Sequence, residues 1–232
     1  MVWQVLSTEV ERQGGGPLTV VDVGGGTGGF AVPLAAAGHT VTVVDSSPDA
    51  LAALTRRAAD AGVAERVTAV QGDGDRLATV VPAASADLVL CHSVLEMVDE
   101  PVAVLRAVAA ALRPGGAASV LVANRAAAVL GRAMTGHLDT AAALLQDPHG
   151  RADTRDTLRR RFDTADVAAL LEGAGLRLEE IHGVRVLADL IPAAVAEADP
   201  AALLELETRL SARPPYRDIA AQLHLLGRQA GR

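Results

Sequence analysis

Short apolar runs alternate along the chain with stretches of helical periodicity. The runs are rich in Val, Leu and Ala and are bounded by Gly, Pro or Asp, which predicts strands at 19–23, 40–44, 66–71, 87–91, 117–123, 176–181 and 219–226. Apolar residues at helical spacing predict a short helix near the amino terminus and helices at 28–37, 46–61, 101–112, 124–145, 164–174 and 200–211. This alternation predicts one α/β domain with a mostly parallel sheet, in which we expect the last strand to be antiparallel.

The composition limits the class of protein. The 232 residues can bury one complete core, and the formal charge of −7 gives no global attraction for polyanions. The single cysteine, Cys91, excludes an internal disulfide framework and is typical of a cytoplasmic protein. The longest uncharged run, 23–44, contains six glycines and Pro33, so we expect no membrane span. Six scattered histidines and one cysteine lack ligand spacing, so we expect no metal site.

The densest chemical pattern is the segment 19–30, Thr-Val-Val-Asp-Val-Gly-Gly-Gly-Thr-Gly-Gly-Phe. A buried strand, a glycine-rich turn and a helix start let the backbone approach a nucleotide without hindrance from Cβ atoms. The spacing G-x-G-x-x-G at 24–29 fits the dinucleotide fingerprint of NAD enzymes, with Asp45 near the position of a ribose-binding acid. The spacing D-x-G-x-G-x-G at 22–28 fits S-adenosylmethionine (SAM) methyltransferases, because the SAM ammonium group favours an acid at Asp22.

Polar residues follow the predicted strands at the edge where ligands bind in open parallel sheets. Asp45 can accept both ribose hydroxyls, and a helix begins just after it. For the adenine amine we favour Asp73 over Asp75, because either acid could instead form a turn. His92 ends the fourth strand, which favours contact with the cofactor or the methyl acceptor over a core role. The predicted cofactor-binding residues are Asp22, Gly24, Gly25, Gly26, Gly28, Asp45, Ser46, Asp73, Gly74 and His92.

A helix, an Arg-Pro-Gly-Gly turn at 113–116 and an apolar strand follow in succession, which is typical of the methyltransferase sheet. The chain resembles the bacterial tRNA 5-carboxymethoxyuridine methyltransferases, which methylate the carboxylate of a modified wobble uridine. The resemblance covers nearly the whole chain and is carried by 22–28, 92–98, 112–116, 183–186, 203–209 and 215–216. It implies a Rossmann-like class I methyltransferase domain, with a mostly parallel seven-stranded sheet and SAM as the cofactor. It also implies SAM contacts from Gly24, Gly25, Asp45, Asp73, Gly74 and His92.

We divide the chain into a short N-terminal helix and linker (1–17), a SAM-binding core (18–123), a variable helical insertion (124–163) and the acceptor side of the same sheet (164–232). Members of the family have an N-terminal segment that contributes a basic contact to SAM and helps to close the site. We expect this lid to be abbreviated or missing here. The family's lysine-rich tract is not reproduced. Instead, five arginines between Arg151 and Arg161 face two aspartates, which predicts either a solvated helix face or a phosphate-contacting patch for tRNA.

A carboxylate acceptor is ionised at neutral pH, so it needs a cationic clamp but no general base. Arg185 and Arg209 are the candidates for anion binding, with Tyr216 or His137 lining the acceptor site. Arg209 could instead form a structural ion pair with Glu205, which lies four residues before it. Two other hypotheses stay open. Net acidity and only four aromatic residues favour a small-molecule carboxyl or hydroxyl acceptor, and the abbreviated lid favours a SAM-binding protein without turnover.

Overall fold

The computed structural model describes residues 1–230, which form one seven-stranded sheet with helices around it. The strands are β1 (Thr19–Val23), β2 (Thr40–Asp45), β3 (Val67–Gln71), β4 (Ala86–His92), β5 (Leu112–Ala123), β6 (Leu176–Val184) and β7 (Gln222–Gln229). Their order is β3-β2-β1-β4-β5-β7-β6. All pairings are parallel except those of β7, which runs antiparallel to both β5 and β6. The predicted fold class is therefore confirmed, including the antiparallel last strand.

Helices connect most of the strands. They are α1 (Val2–Arg12), α2 (Ala31–Ala36), α3 (Pro48–Asp60), α4 (Pro101–Ala111), α5 (Arg125–Met134), α6 (Leu138–Gln146), α7 (Thr164–Gly173), α8 (Ala193–Ala198) and α9 (Pro200–Ser211). Helix α3 starts as the sequence predicts, because the Ser47 hydroxyl accepts from Ala50 N at 3.2 Å and Pro48 occupies the first turn. In residues 1–230, none of the helices combines the length and apolar character needed to cross a bilayer.

The central strands of the sheet are buried on both faces. Val20, Leu88 and Leu90 pack on one face against α1, α2 and α3. Val89 and Cys91 pack on the other face against α4 and α7. The interior of β4 is completely buried, as its unbroken apolar run predicts. Polar groups that act on a ligand are therefore confined to the strand ends and the loops that follow them.

Three predicted elements differ from the structure. The segment 113–116 is a bulge inside β5 rather than a turn before it, because Ala86 pairs with Leu112 while Leu88 already pairs with Ala117. The last strand begins later than residue 219, since Tyr216–Ile219 form a 3-10 helix. The predicted helix 124–145 is divided into α5 and α6 by a turn at 135–137. Helix α8 has no counterpart in the prediction.

Helix α1 is fixed to the sheet by a buried ion pair. The Glu9 side chain is fully enclosed, and its Oε2 accepts from Arg228 Nη2 at 2.7 Å. The same guanidinium binds Glu179 on β6. At the other end of the helix, Trp3 stacks on Phe30 with 4.9 Å between the ring centroids. Helix α1 therefore lies against the end of the glycine-rich loop.

Candidate functional site

The glycine loop between β1 and α2 is packed tightly against its neighbours. Gly24 has a φ of +67°, and its N–H donates to Val44 O at 2.7 Å. A Cβ at Gly24 would lie 2.4 Å from Val94 Cγ2, and one at Gly28 would lie 2.3 Å from Leu54 Cδ1. Close packing and backbone conformation therefore both require glycine at these two positions.

Asp22 lies directly beneath the loop. It is 2% exposed, and its Oδ2 has no hydrogen-bond partner among residues 1–230. A Cβ at Gly25 would lie only 2.5 Å from that oxygen. Burial, with a smaller contribution from the nearby charge of Asp45, raises the pKa of Asp22 to about 7. The loop thus covers a carboxyl group whose ionised form a cationic ligand would stabilise.

Asp45, at the end of β2, holds the loop in place. Its Oδ2 accepts from Gly26 N and its Oδ1 accepts from Ser47 N, both at 2.9 Å. A carboxylate can accept about four hydrogen bonds, so each oxygen keeps a free lone pair. Asp45 can therefore fix the loop and still accept from two neighbouring hydroxyl groups, which is the role predicted from the sequence.

A cavity of about 620 Å³ opens at the carboxyl edge of β1, β2 and β4. Its lining residues are Val23, Gly24, Val44, Asp45, Ser46, Gly72, Asp73, Gly74, Asp75, Arg76, Ser93, Val94, Met97, Val98, Asp99 and Glu100. Half of the predicted cofactor residues are in this lining, and the other half (Asp22, Gly25, Gly26, Gly28 and His92) are not. The loop glycines and Asp22 instead support the edge of the cavity from below.

The charge of this cavity favours a cation. Its acidic side chains are those of Asp45, Asp73, Asp75, Asp99 and Glu100, whereas Arg76 is its single basic residue. A dinucleotide pyrophosphate would be repelled here, but a nucleoside with a positively charged group would be attracted. In the described part of the chain, no three His, Cys, Asp or Glu side chains are grouped so that they could hold a metal ion.

Both acids of the 72–75 loop face the cavity. Asp73 precedes the 3-10 helix Gly74–Thr79, but its side chain makes no capping hydrogen bond. The turn-forming role that the sequence allowed for Asp73 is therefore not observed at this helix start. A Cβ at Gly74 would lie 3.1 Å from Val23 Cγ1, so glycine here keeps the loop close to the end of β1. The choice between Asp73 and Asp75 for an adenine amine stays a prediction.

His92 ends β4 and lies next to two lining residues, Ser93 and Val94. Its ring packs edge-on against Phe30 with the centroids 4.6 Å apart, and its Nε2 is 2.8 Å from Ser119 Oγ. Burial lowers the pKa of His92 to about 4, so the ring is neutral at physiological pH. Ser119 was not predicted to be a site residue. Its position as a polar residue inside the apolar run 117–123 is a signal that could have identified it.

A second cavity of about 270 Å³ lies at the end of β5. Arg185 and Arg161 both line it, together with Asn124, Asp189 and several apolar residues. Arg185 has a φ of +60°, which is strained for a non-glycine residue and is most often found at functional sites. Its Nε donates to Asp189 Oδ1 at 3.1 Å, while more than half of its side chain stays exposed. The second cavity thus combines guanidinium groups with an apolar wall.

The other three acceptor candidates line neither of these cavities. Arg209, on α9, is paired with Glu205 at 3.5 Å, and both side chains are largely exposed. Tyr216 is 48% exposed at the start of its 3-10 helix. His137 precedes α6, and its Nδ1 is 3.1 Å from Thr135 Oγ1. The structure therefore groups only Arg185 of these four candidates with a cavity, and the roles of the others stay predictions.

The five arginines between 151 and 161 are engaged by neighbouring groups, and their segment is not helical. The ion pairs are Arg151–Asp147, Arg155–Asp153, Arg159–Asp99 and Arg161–Asp156. Arg160 Nη2 donates to the carbonyl oxygens of Val98 and Asp99 at 3.0 and 2.9 Å. Of the two alternatives for this run, the helix face is therefore wrong, and the phosphate-contacting patch stays a prediction. These contacts compensate much of the positive charge and attach the segment to the loop after β4.

Glu96 is a buried acid that the sequence did not single out as a site residue. It is 2% exposed, its Oε1 accepts from Ala123 N at 2.7 Å, and its Oε2 has no partner in residues 1–230. Burial raises the pKa of Glu96, against the opposing effect of the backbone N–H donors. Since Met97 lines the first cavity and Ala123 the second, Glu96 connects the walls of the two.

Comparisons with known proteins find relatives in both sequence and structure. The family model of a methyltransferase domain matches residues 20–116. The chain is 32% identical to the tRNA 5-carboxymethoxyuridine methyltransferase of Escherichia coli (strain K12), over 99% of this chain and 87% of the relative. It is 33% identical to the ubiquinone biosynthesis O-methyltransferase of Xanthomonas euvesicatoria pv. vesicatoria (strain 85-10), over 78% of this chain and 70% of the relative. A crystal structure of a SAM-dependent methyltransferase from Mesorhizobium loti has a TM-score of 0.68 at 21% identity, over 98% of this chain and 97% of that one.

Proposed function

The chain belongs to the SAM-dependent methyltransferase family that includes the tRNA 5-carboxymethoxyuridine methyltransferase of Escherichia coli, and we propose that it methylates the carboxylate of 5-carboxymethoxyuridine in tRNA. The protein is an enzyme, and SAM is its cofactor. The hypotheses of an NAD oxidoreductase and of a SAM-binding protein without turnover are therefore not retained. The observation that supports the tRNA acceptor best is identity over almost the whole chain, including segments beyond the cofactor-binding half.

The residues of the first cavity fit SAM. Asp45 would accept from the ribose hydroxyls, and Asp73 or Asp75 from the adenine amine. The backbone of Gly24 and Gly25 would face the amino acid part, because side chains are excluded there by close packing. The buried and unpartnered Oδ2 of Asp22 provides the negative charge that an ammonium group favours. The acidic lining agrees with the net positive charge of SAM.

When bound, SAM supplies an electrophilic methyl group on a positively charged sulfur. The chain has to place the acceptor oxygen in line with that group and keep water away from it. A carboxylate is ionised near neutral pH, so no side chain has to remove a proton. The remaining requirement is a clamp that orients the carboxylate, and Arg185 at the second cavity meets it with a planar guanidinium group.

Replacing Arg185 by methionine is expected to raise the acceptor KM by about 10- to 100-fold, because a charge-assisted hydrogen bond contributes about 1.5–3 kcal/mol. Methionine is as unfavourable as arginine at a φ of +60°, so the change removes charge without adding backbone strain. Steady-state kinetics with varied acceptor and saturating SAM measure the effect. Arg106→Met is the matched control, since Arg106 is exposed on α4 and lines neither cavity, and we expect it to stay within twofold of wild type. An unchanged KM for Arg185→Met would exclude this clamp.

The proposed reaction is tested by incubating the protein with SAM and tRNA that carries 5-carboxymethoxyuridine. The tRNA is then digested, and the methyl ester nucleoside is sought by mass spectrometry. We expect its appearance with wild-type protein and its absence when SAM is replaced by S-adenosylhomocysteine. If no ester forms in a sample that binds S-adenosylhomocysteine with micromolar affinity, the tRNA acceptor is wrong and the methyltransferase assignment stands.

The second candidate acceptor is a small carboxyl or hydroxyl metabolite. Two observations favour it: a relative at 33% identity is a ubiquinone biosynthesis O-methyltransferase, and the arginines of 151–161 are largely engaged by acids within the protein. Salt separates the two candidates. Activity on a polyanionic acceptor falls steeply between about 50 and 200 mM salt, whereas activity on a small metabolite changes little.

A further inference from the structure

Three histidines and one serine form a buried polar row across the sheet, on the face that α1 covers. His92 on β4 is opposite Leu121 on β5, Leu121 is opposite His224 on β7, and His224 is opposite His182 on β6. Ser119, two residues before Leu121 and on the same face, connects the row. Its Oγ is 2.8 Å from His92 Nε2 and 2.7 Å from His224 Nε2. Ser119 and His224 are fully buried.

The direction of these two hydrogen bonds follows from a count of protons. Burial lowers the pKa values of His92 and His224 to about 4 and 3, so each ring is neutral and carries one N–H and one lone pair. Ser119 has one O–H, which can donate to only one of the two rings. If both rings donated instead, the O–H of the fully buried Ser119 would have no acceptor among residues 1–230. One ring therefore accepts from Ser119, and the other donates its Nε2–H to Ser119 Oγ. Either His224 donates and His92 accepts, or the reverse.

Each direction leaves one ring N–H without a partner, and the two directions leave it at opposite ends. If His224 donates, the free N–H is on His92 Nδ1. If His92 donates, the free N–H is on His224 Nδ1. Both Nδ1 atoms are enclosed and have no hydrogen-bond partner within residues 1–230. An unsatisfied buried donor is costly, so the favoured direction is the one in which a ligand can satisfy it.

Only one end of this row is next to a ligand site. His92 ends β4 beside Ser93 and Val94, which line the first cavity, and its ring touches Phe30 at the end of the glycine loop. His224 is in the interior of the sheet, stacked on His182 with 6.0 Å between the centroids. A free N–H on His92 is therefore next to the ligand site, whereas one on His224 is remote from it.

We propose that Ser119 and His224 are positioning residues, which fix His92 as the Nδ1–H tautomer so that this nitrogen donates a hydrogen bond to a carboxylate oxygen in the active site. The carboxylate belongs either to the amino acid part of the cofactor or to the methyl acceptor. The inference depends on the proposed function only if the carboxylate belongs to the methyl acceptor. His92 is then a donor that touches a ligand, whereas Ser119 and His224 act through it.

The tautomer is measured directly, without substrate or turnover. Nitrogen-15 NMR of histidine side chains distinguishes a protonated Nδ1 from a protonated Nε2. In the wild-type protein bound to S-adenosylhomocysteine, we expect His92 to be protonated on Nδ1 and His224 on Nε2. Protonation of His92 on Nε2 would overturn the proposal, whatever acceptor the enzyme methylates.

Activity and binding then identify the source of the carboxylate. Ser119→Ala removes the only partner that His92 Nε2 has among residues 1–230, and we expect ligand binding to weaken about tenfold. The loss will be in S-adenosylhomocysteine affinity if the cofactor carboxylate is the partner, and in acceptor KM if the substrate carboxylate is. If S-adenosylhomocysteine affinity and acceptor KM both stay within twofold of wild type in Ser119→Ala, the proposal is contradicted.

Substitutions at His224 separate positioning from packing. The amide nitrogen of glutamine occupies nearly the place of Nε2, so His224→Gln keeps the donor to Ser119 and is expected to stay within threefold of wild type. Methionine has a similar volume but no donor, so His224→Met is expected to show the same loss as Ser119→Ala. His182→Leu is the matched control, because His182 is in the row but has no hydrogen bond to Ser119. Equal losses for His224→Gln and His224→Met would show a packing role instead.

Discussion

The Asp22→Asn variant is expected to be more stable than the wild-type protein at neutral and alkaline pH. Asp22 is buried beneath the glycine loop, and its pKa is raised from 3.8 to about 7. Between these two values the folded protein holds a proton that the unfolded chain releases, so ionisation opposes folding as the pH rises. Asparagine has nearly the same shape and no charge to bury. The substitution therefore removes the cost of ionising a buried group.

The sign and size of this stability difference follow from proton linkage. The contribution of Asp22 to the unfolding free energy of the wild type falls by about 1.4 kcal/mol for each pH unit between about pH 4 and 7. Above that range it is constant. The difference in unfolding free energy between Asp22→Asn and wild type should grow with the same slope, to at most about 4 kcal/mol. Urea denaturation at about pH 5, 6 and 7 measures it. The control is Asp60→Asn, which removes a carboxylate that is exposed on α3, and we expect no gain in stability from it.

The same variant is expected to bind the cofactor less tightly. An ammonium group stabilises ionised Asp22, so S-adenosylhomocysteine affinity in the wild type should rise as the pH increases from about 6 to 8. In Asp22→Asn this rise should be absent and the affinity about tenfold lower at pH 8, as for one lost charge-assisted hydrogen bond. Equal affinities for the two proteins at pH 8 would show that Asp22 serves only the fold.

The cofactor side of the site could be predicted from the sequence because its determinants are local. The glycine loop is continuous in the chain with β1, and Asp45 follows the next strand. Parallel strands place such ends at one edge of the sheet, so spacing and strand order were sufficient to place both groups. The structure adds that Asp45 also holds the loop through Gly26 N, a contact that spacing alone does not reveal.

The rest of the candidate site could not be predicted as well, because its contacts depend on register between distant strands. Ser119 and His224 are 105 residues apart, and they meet only because β7 is antiparallel to β5 with one particular pairing. The partners of Arg159 and Arg160 lie about 60 residues earlier in the chain. A charge run in the sequence therefore could not show whether its arginines were free for phosphates. The left-handed backbone at Arg185 also has no signal in the sequence.

The Gly25→Ala variant is expected to lose cofactor binding while keeping the fold. A Cβ at this position would lie 2.5 Å from Asp22 Oδ2 and 2.9 Å from Val43 Cγ1. Both neighbours belong to the buried central strands β1 and β2, so they cannot move aside and the loop itself must lift. Overpacking of this kind costs about 1–3 kcal/mol. Lifting the loop would also break the hydrogen bond between Gly26 N and Asp45.

Because the loop backbone and Asp45 together form the proposed cofactor site, we expect S-adenosylhomocysteine affinity to fall by about 100-fold or more in Gly25→Ala, measured by isothermal titration calorimetry. The loop offers its own control four residues further on. A Cβ at Gly29 would meet no atom within 4 Å, and its φ is outside the left-handed region, so Gly29→Ala should bind the ligand as wild type does. A loss of affinity in both variants would point to general flexibility of the loop. Loss in Gly25→Ala alone locates the requirement at its contact with Asp22, the buried carboxyl group that we propose to face the ammonium group of the cofactor.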